Sequence, residues 1–87
     1  MFSGIIEQTA KIDKLINTNK DSHIILKLDL SKVTLIVGDS VAINGVCLTV
    51  SSMENKFCRF DISPETLNLT AFKDLNTNDI VNIEFPL

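Results

Sequence analysis

The stretch "VAINGVCLTVSSM", residues 41–53, decides how the strands of this chain are counted. An Asn44-Gly45 pair sits between two apolar runs. Such a pair signals a two-residue hairpin, because both turn positions need positive φ. The same glycine also fits a bulge inside one long strand. We read the bulge, because "MENK", residues 53–56, already offers a hairpin turn into the next strand. Beyond Gly45 the alternation is plain: Val46, Leu48 and Val50 share one face, and Cys47 and Thr49 share the other. If the first set fills a core, the thiol and the hydroxyl point outward.

Working outward, the rest of the chain also reads mostly as strands. "HIILKLDL", residues 23–30, places Leu26, Leu28 and Leu30 on one side and Lys27 and Asp29 on the other. "FCRFDI", residues 57–62, sets Cys58, Phe60 and Ile62 against Phe57, Arg59 and Asp61. "IVNIEF" is a last strand, stopped by Pro86. In "FSGIIEQTAKIDKLI" a helix is compatible with the spacing, but Gly4 and the β-branched content favour a strand start. "NTNKDS", residues 17–22, is a turn cluster, and "SKVTLIVGDS" holds a short apolar run before a Gly38-Asp39 turn signal. "SPETLNLTAFKDL" breaks the rhythm. Ser63 suits an N-cap and Pro64 the first helical position, so a short helix is expected, with Leu67 among its buried residues. Glu65 falls one place short of a capping box. "NTND" is a turn. About six strands and one short helix in 87 residues predict an all-β domain, a small closed barrel that leaves no exposed sheet edge.

Length allows one domain, residues 1–87, and not two. At 45% apolar residues the chain can form a core. Its net charge of −3 and scattered Lys and Arg give no basic cluster to neutralise a phosphate backbone, so nucleic acid is not an expected partner. No apolar run is long enough to span a membrane, and "MFSGIIEQ" has neither the basic region nor the apolar core of a signal peptide. A native start and a cytoplasmic location with reduced thiols are therefore expected for Cys47 and Cys58. One His and two Cys without close spacing make a poor zinc set.

Three motifs, in order, carry a resemblance: "MFSGIIE", "GDSVAINGVCLTV" and "FDISPETLNLT", with "DIVNIE" as a closing strand. The chain resembles the N-terminal half of riboflavin synthase over essentially its whole length. The resemblance implies a six-stranded closed Greek-key β-barrel with a short helix, one of two similar barrels in the full enzyme. It implies binding of 6,7-dimethyl-8-ribityllumazine and riboflavin, and dismutation of two lumazines to riboflavin plus a pyrimidine, with no metal or redox cofactor required. It further implies a site between barrels of neighbouring subunits, a trimer for the full-length enzyme and self-association of an isolated barrel as a homodimer. The family's second barrel, trimer helix and "GGH" and "SGH" motifs lie beyond Leu87, and His23 is in the wrong segment to replace those histidines. An 87-residue barrel is thus expected to bind ligand with little or no turnover. The alternative is a non-catalytic lumazine- or flavin-binding module, like the antenna proteins that share this barrel.

Three segments can serve a flat, polar, uncharged ring. In the first, Gly4 permits close backbone approach while Ile5 or Ile6 presses on a ring face; ordinary strand preference is the competing account. In the second, Cys47, Leu48 and Thr49 lie on the thiol-bearing strand. A strand cysteine is usually a small inert hydrophobe; the resemblance makes Cys47 and Thr49 a ligand-contacting pair, with Cys47 either a nucleophile towards an electron-poor ring carbon or a pocket wall. Ser40 is the other matched polar residue, and a cap on the Gly38-Asp39 turn is its competing role. The third segment is Asp61, Ile62, Ser63, Pro64, Glu65 and Thr66, where a helix start offers free N–H groups to ring carbonyls and Thr66 a hydroxyl. Glu65 reads as a solvated first-turn acid, Cys58 as core filler and His23 as a surface imidazole. Phe2 either covers the pocket edge or packs into the barrel rim.

Overall fold

The computed structural model describes residues 2–69 and 71–86. Six strands and one helical turn follow in the order β1 (Gln8–Asn17), β2 (Ser22–Lys27), β3 (Ser40–Ile43), β4 (Val46–Glu54), β5 (Phe57–Asp61), α1 (Pro64–Leu67) and β6 (Ile80–Glu84). The strands close into a barrel in the order β1-β2-β5-β4-β3-β6, every pairing antiparallel. Three consecutive hairpin-linked strands, β3-β4-β5, with β2 returning beside β5, make the Greek key. Alternation explains the core. Ile12, Ile24, Leu26, Val41, Ile43, Val50, Phe60, Val81 and Ile83 point inward and are fully buried, and the polar residues between them face out. Cys58 belongs to this interior, and burial pushes its thiol pKa up.

The Asn44-Gly45 pair is a hairpin turn and not a bulge. Asn44 and Gly45 take φ of 48° and 81°, the double positive φ of a type I′ turn. Ile43 pairs with Val46 directly across it. The "MENK" turn exists as well, with Asn55 at φ 57° and Glu54 opposite Phe57. Two turns therefore bound β4, and residues 41–53 belong to two strands. The tip of the first hairpin is tied to β6: Asn44 N–H donates to Asn82 O at 2.9 Å and Asn82 N–H to Asn44 Oδ1 at 2.8 Å. Asn44 occupies the next ladder position opposite Asn82, and its side-chain Oδ1 accepts the N–H that a continuing strand would meet with its main-chain carbonyl.

Other expectations shift locally. β1 begins at Gln8, so residues 2–7 form an irregular strap and not a strand start. The apolar run of residues 33–37 lies outside the strands; Leu35 is buried, while Ile36 and Val37 are exposed. The turn after it is closed by Asp39, whose Oδ2 accepts Ile36 N–H at 3.0 Å, so Ser40 is not its cap. Leu67 is half-buried against the core, since a single helical turn is too short to turn a full face inward. His23 is not a surface imidazole: it is 6% exposed. It points out of the barrel, opposite Asp61, yet Asp21 bonds its ring and Arg59 bonds the same Asp21 oxygen.

Candidate functional site

The barrel's outer face gathers most of the candidate residues through strand register alone. Glu84 on β6 stands opposite Ala42 on β3, and Ala42 stands opposite Cys47 on β4. In the neighbouring row Ser40 stands opposite Thr49. The β4–β5 ladder ends at Val50 opposite Phe60, so Thr49 faces Asp61 one step beyond it. From β6 to β5 this strip crosses three strand spacings, about 14 Å. Cys47 and Thr49 are exposed and Ser40 half-buried.

β4 offers main-chain groups there as well. Val50 N–H donates to Asp39 O at 2.8 Å, and Val50 O accepts Gly38 N–H at 3.0 Å. Both of its peptide groups are thus committed towards the β3 side. Successive residues alternate, so those of Cys47 point the other way, beyond the end of the β5 ladder. Cys47 therefore presents a thiol, an amide N–H and a carbonyl on one open edge. The side chain of Leu48 turns into the core, leaving its main chain as what can serve a ligand.

The turn after β5 forms the second wall. Ser63 caps α1: its Oγ accepts Thr66 N–H at 3.2 Å and donates to Thr66 Oγ1 at 3.0 Å. Thr66 keeps its own hydroxyl proton for another acceptor. Ile62 is buried and its N–H is held by Ser22 O at 2.9 Å. Pro64 has no N–H and that of Thr66 is taken, so among the described residues Ser63 and Glu65 are the amides of this turn still able to donate. That is fewer than a bare helix start supplies. Pro64 and Glu65 are exposed.

The strap forms the first wall. Gly4 N–H donates to Glu84 Oε2 at 2.6 Å, and the Ser3 hydroxyl donates to the same oxygen at 3.1 Å. Glu7 N–H donates to Ile83 O at 2.9 Å, and Glu7 Oε2 accepts Phe85 N–H at 2.8 Å. Gly4 sits at φ 85°, a conformation that L side chains seldom adopt. The strap leaves Ile5 and Ile6 at 68% and 56% exposed. A groove of about 460 Å³ runs beneath it, lined by Gly4, Ile6, Ala42, Gly45 and Glu84 among others. Phe2, half-buried, lies at the strap's start.

A charged cluster braces the end of β5. Asp21 Oδ1 accepts His23 Nδ1–H at 2.9 Å and Arg59 Nη2–H at 3.1 Å, and Arg59 Nε–H reaches Asp61 Oδ1 at 3.0 Å. The hydrogen bond from His23, helped by its charge and that of Arg59, holds the Asp21 carboxyl below its ordinary value. Asp61 is accordingly engaged sideways with Arg59. Among the described residues no three His, Cys, Asp or Glu side chains group as a metal site.

The structure thus joins Ser40, Cys47, Thr49, Asp61 and the turn to Thr66 along one face, with Gly4, Ile5 and Ile6 at its β6 side. Sequence reading missed Glu84 and the Asp21–His23–Arg59 cluster. Alternation places Glu84 in the outward set with Ile80 and Asn82, where a glutamate reads as solvated; no local signal announces that the strap covers it.

Fold and strip together define a class, a small closed Greek-key barrel with an open polar band across one outer face. The chain belongs to the lumazine binding domain family, which matches residues 3–86. It is 42% identical to riboflavin synthase of Photobacterium leiognathi over 87 residues, covering 97% of this chain and 39% of that enzyme. It is 39% identical to riboflavin synthase of Escherichia coli (strain K12) over 85 residues, covering 97% of this chain and 40% of the relative. The chain therefore spans well under half the length of these relatives. Among solved structures, LumP complexed with riboflavin superposes with a TM-score of 0.83 at 27% identity, over 98% of this chain and 46% of that one. LumP complexed with 6,7-dimethyl-8-(1'-D-ribityl) lumazine also gives 0.83, over 100% of this chain and 48% of that one.

Proposed function

We propose that this chain is a lumazine- and riboflavin-binding barrel of a riboflavin synthase, one half of the site that dismutates two 6,7-dimethyl-8-ribityllumazines to riboflavin and a pyrimidine. The observation that carries this reading is the convergence of Ser40, Cys47, Thr49 and the Ser63–Thr66 cap on one open face. Such a strip suits a flat heterocycle. Backbone donors at Cys47, Ser63 and Glu65 and the free Thr66 proton read ring carbonyls, while Ile5 and Ile6 cover a ring face. Family membership and the ligands of the LumP structures support it.

In this reading one lumazine loses a proton from its 7-methyl group, whose anion the ring delocalises. The second is activated by a nucleophile at the equivalent ring carbon, a role assigned to Cys47 with Ser40 beside it. The carbanion attacks, and ring opening and closing transfer four carbons. No cofactor is required. Holding two rings face to face lowers the barrier by several kcal/mol, about 7 or more in well-oriented cases. One barrel holds one ring, so the partner is a second barrel: a homodimer for the isolated domain, a trimer for the full-length enzyme. Both belong in the cytoplasm. No helix among the described residues is long and apolar enough to cross a membrane.

The alternative reading is a binding module without turnover, favoured by the 0.83 match to LumP. Titration with riboflavin followed by quenching of flavin fluorescence tests the shared claim: micromolar saturation is expected, and unquenched flavin would end both readings. Incubation with the lumazine then separates them by whether riboflavin accumulates. Cys47→Ser reports on the thiol, and unchanged binding and rate would remove its role.

A further inference from the structure

Glu84 stands at the β6 end of the strip without a ring-reading role, yet it is the most buried carboxylate on the outer face, at 9% exposed. It faces out of the barrel, opposite Ala42. What covers it is the strap, and the strap's two polar contacts at this point converge on a single oxygen. Gly4 N–H and the Ser3 hydroxyl both donate to Oε2, at 2.6 and 3.1 Å. Ser3 Oγ in turn accepts Ile5 N–H at 3.2 Å. Gly4 is held at φ 85° between them, the backbone reversal that leaves Ile5 and Ile6 largely exposed, with Ile6 lining the groove.

We infer that Glu84 is a positioning residue for ligand binding, an acceptor that latches the strap so that Ile5 and Ile6 stand preset beside the strip. The inference rests on the ligand reading above. Two large aliphatic side chains in water gain nothing by being exposed, so their placement follows from the backbone. Between residues 2 and 6 that backbone is fixed by Glu84; the next anchors are at Glu7. Removing the acceptor leaves Gly4 free to relax to other conformations, and ordering the strap again then weakens ligand binding. Because both donors meet one oxygen, the acceptor and not the negative charge is what the latch needs. A glutamine carbonyl in the same place keeps both contacts.

Three variants test this on the full chain. Amide hydrogen exchange on the ligand-free protein reads the latch directly. Gly4 and Ile5 exchange at least about tenfold faster in Glu84→Ala than in wild type, and at near wild-type rates in Glu84→Gln. Riboflavin quenching reads the consequence. Glu84→Ala binds about tenfold more weakly at unchanged thermal midpoint, and Glu84→Gln binds within about twofold of wild type. The double variant Ile5→Ala/Ile6→Ala weakens binding in the wild-type background but adds little in the Glu84→Ala background. Equal loss in the Gln and Ala variants, unaltered exchange in Glu84→Ala, or full additivity with the isoleucine pair would overturn the inference. Failure of the wild-type chain to bind flavin would instead end the ligand reading, and the exchange measurement would still decide whether the latch exists.

Discussion

The two walls of the strip are held in opposite ways. The turn of residues 61–66 is shaped mainly by its neighbours in sequence, with Ser63 capping Thr66 three residues on and Arg59 gripping Asp61 two residues on, and Ile62 N–H to Ser22 O is its one distant anchor among the described residues. The strap of residues 2–6 is fixed by Glu84, some 80 residues away along the chain. One wall would keep part of its shape in a short peptide; the other exists only when the barrel has closed. A locally built wall tolerates a loosened barrel, whereas a remotely latched wall reports on closure. A ligand touching both therefore senses the whole fold.

The largest effect should come from breaking what both walls share. Phe60 is fully buried and pairs with Val50 at the last β4–β5 rung. Phe60→Ala is expected to cost about 3–5 kcal/mol, a large part of the roughly 5 kcal/mol available to so small a domain. Urea unfolding should show a much lower midpoint, with flavin quenching lost alongside it. A barrel that kept its midpoint would show that Phe60 does not hold the core together.

Next come the variants that separate the walls. His23→Ala removes a buried donor and leaves Asp21 and Arg59 to rearrange, at about 1 kcal/mol. Exchange of the Ile62 amide, held by Ser22 O, should rise while that of Gly4 stays unchanged. Equal loosening at both sites would show the walls to be coupled. Ser63→Ala removes the cap at about 1 kcal/mol and frees the Thr66 hydroxyl from its fixed partner. Flavin should bind several-fold more weakly, again with Gly4 exchange unchanged.

The smallest effect is a pH dependence to which the brace contributes, beside Asp29, whose carboxyl the Ser31 N–H also holds below its ordinary value. The Asp21 carboxyl is held below its ordinary value of 3.8, first by the hydrogen bond from His23. A depressed folded value means that this contribution is present above that ordinary value and is lost as pH falls through the lower folded one. Thermal midpoints should therefore decline below pH 3.8, and Asp21→Asn should flatten that part of the decline. An unchanged acid limb would remove Asp21 from the brace.

Much of this was open to reading from the chain. The face assignments in residues 46–50 and 57–62 follow from a period of two. The Ser63-Pro64 helix start follows from capping chemistry acting over three residues. Those are short-range rules, and the sequence by itself determined the all-β class, most inward-facing residues and one wall. Only the tertiary structure decided the rest. Asn44-Gly45 suits either a turn or a bulge until β6 arrives to bond Asn44. His23 is an outward residue that reads as solvated until β5, paired opposite it, brings Arg59 to the Asp21 carboxylate that holds its ring. Glu84 is one more polar residue in an alternating strand until the strap from the far end of the chain lies across it. Asn44 and Glu84 are settled by hydrogen bonds to residues distant in sequence, and His23 by the Arg59–Asp21 bond beside it.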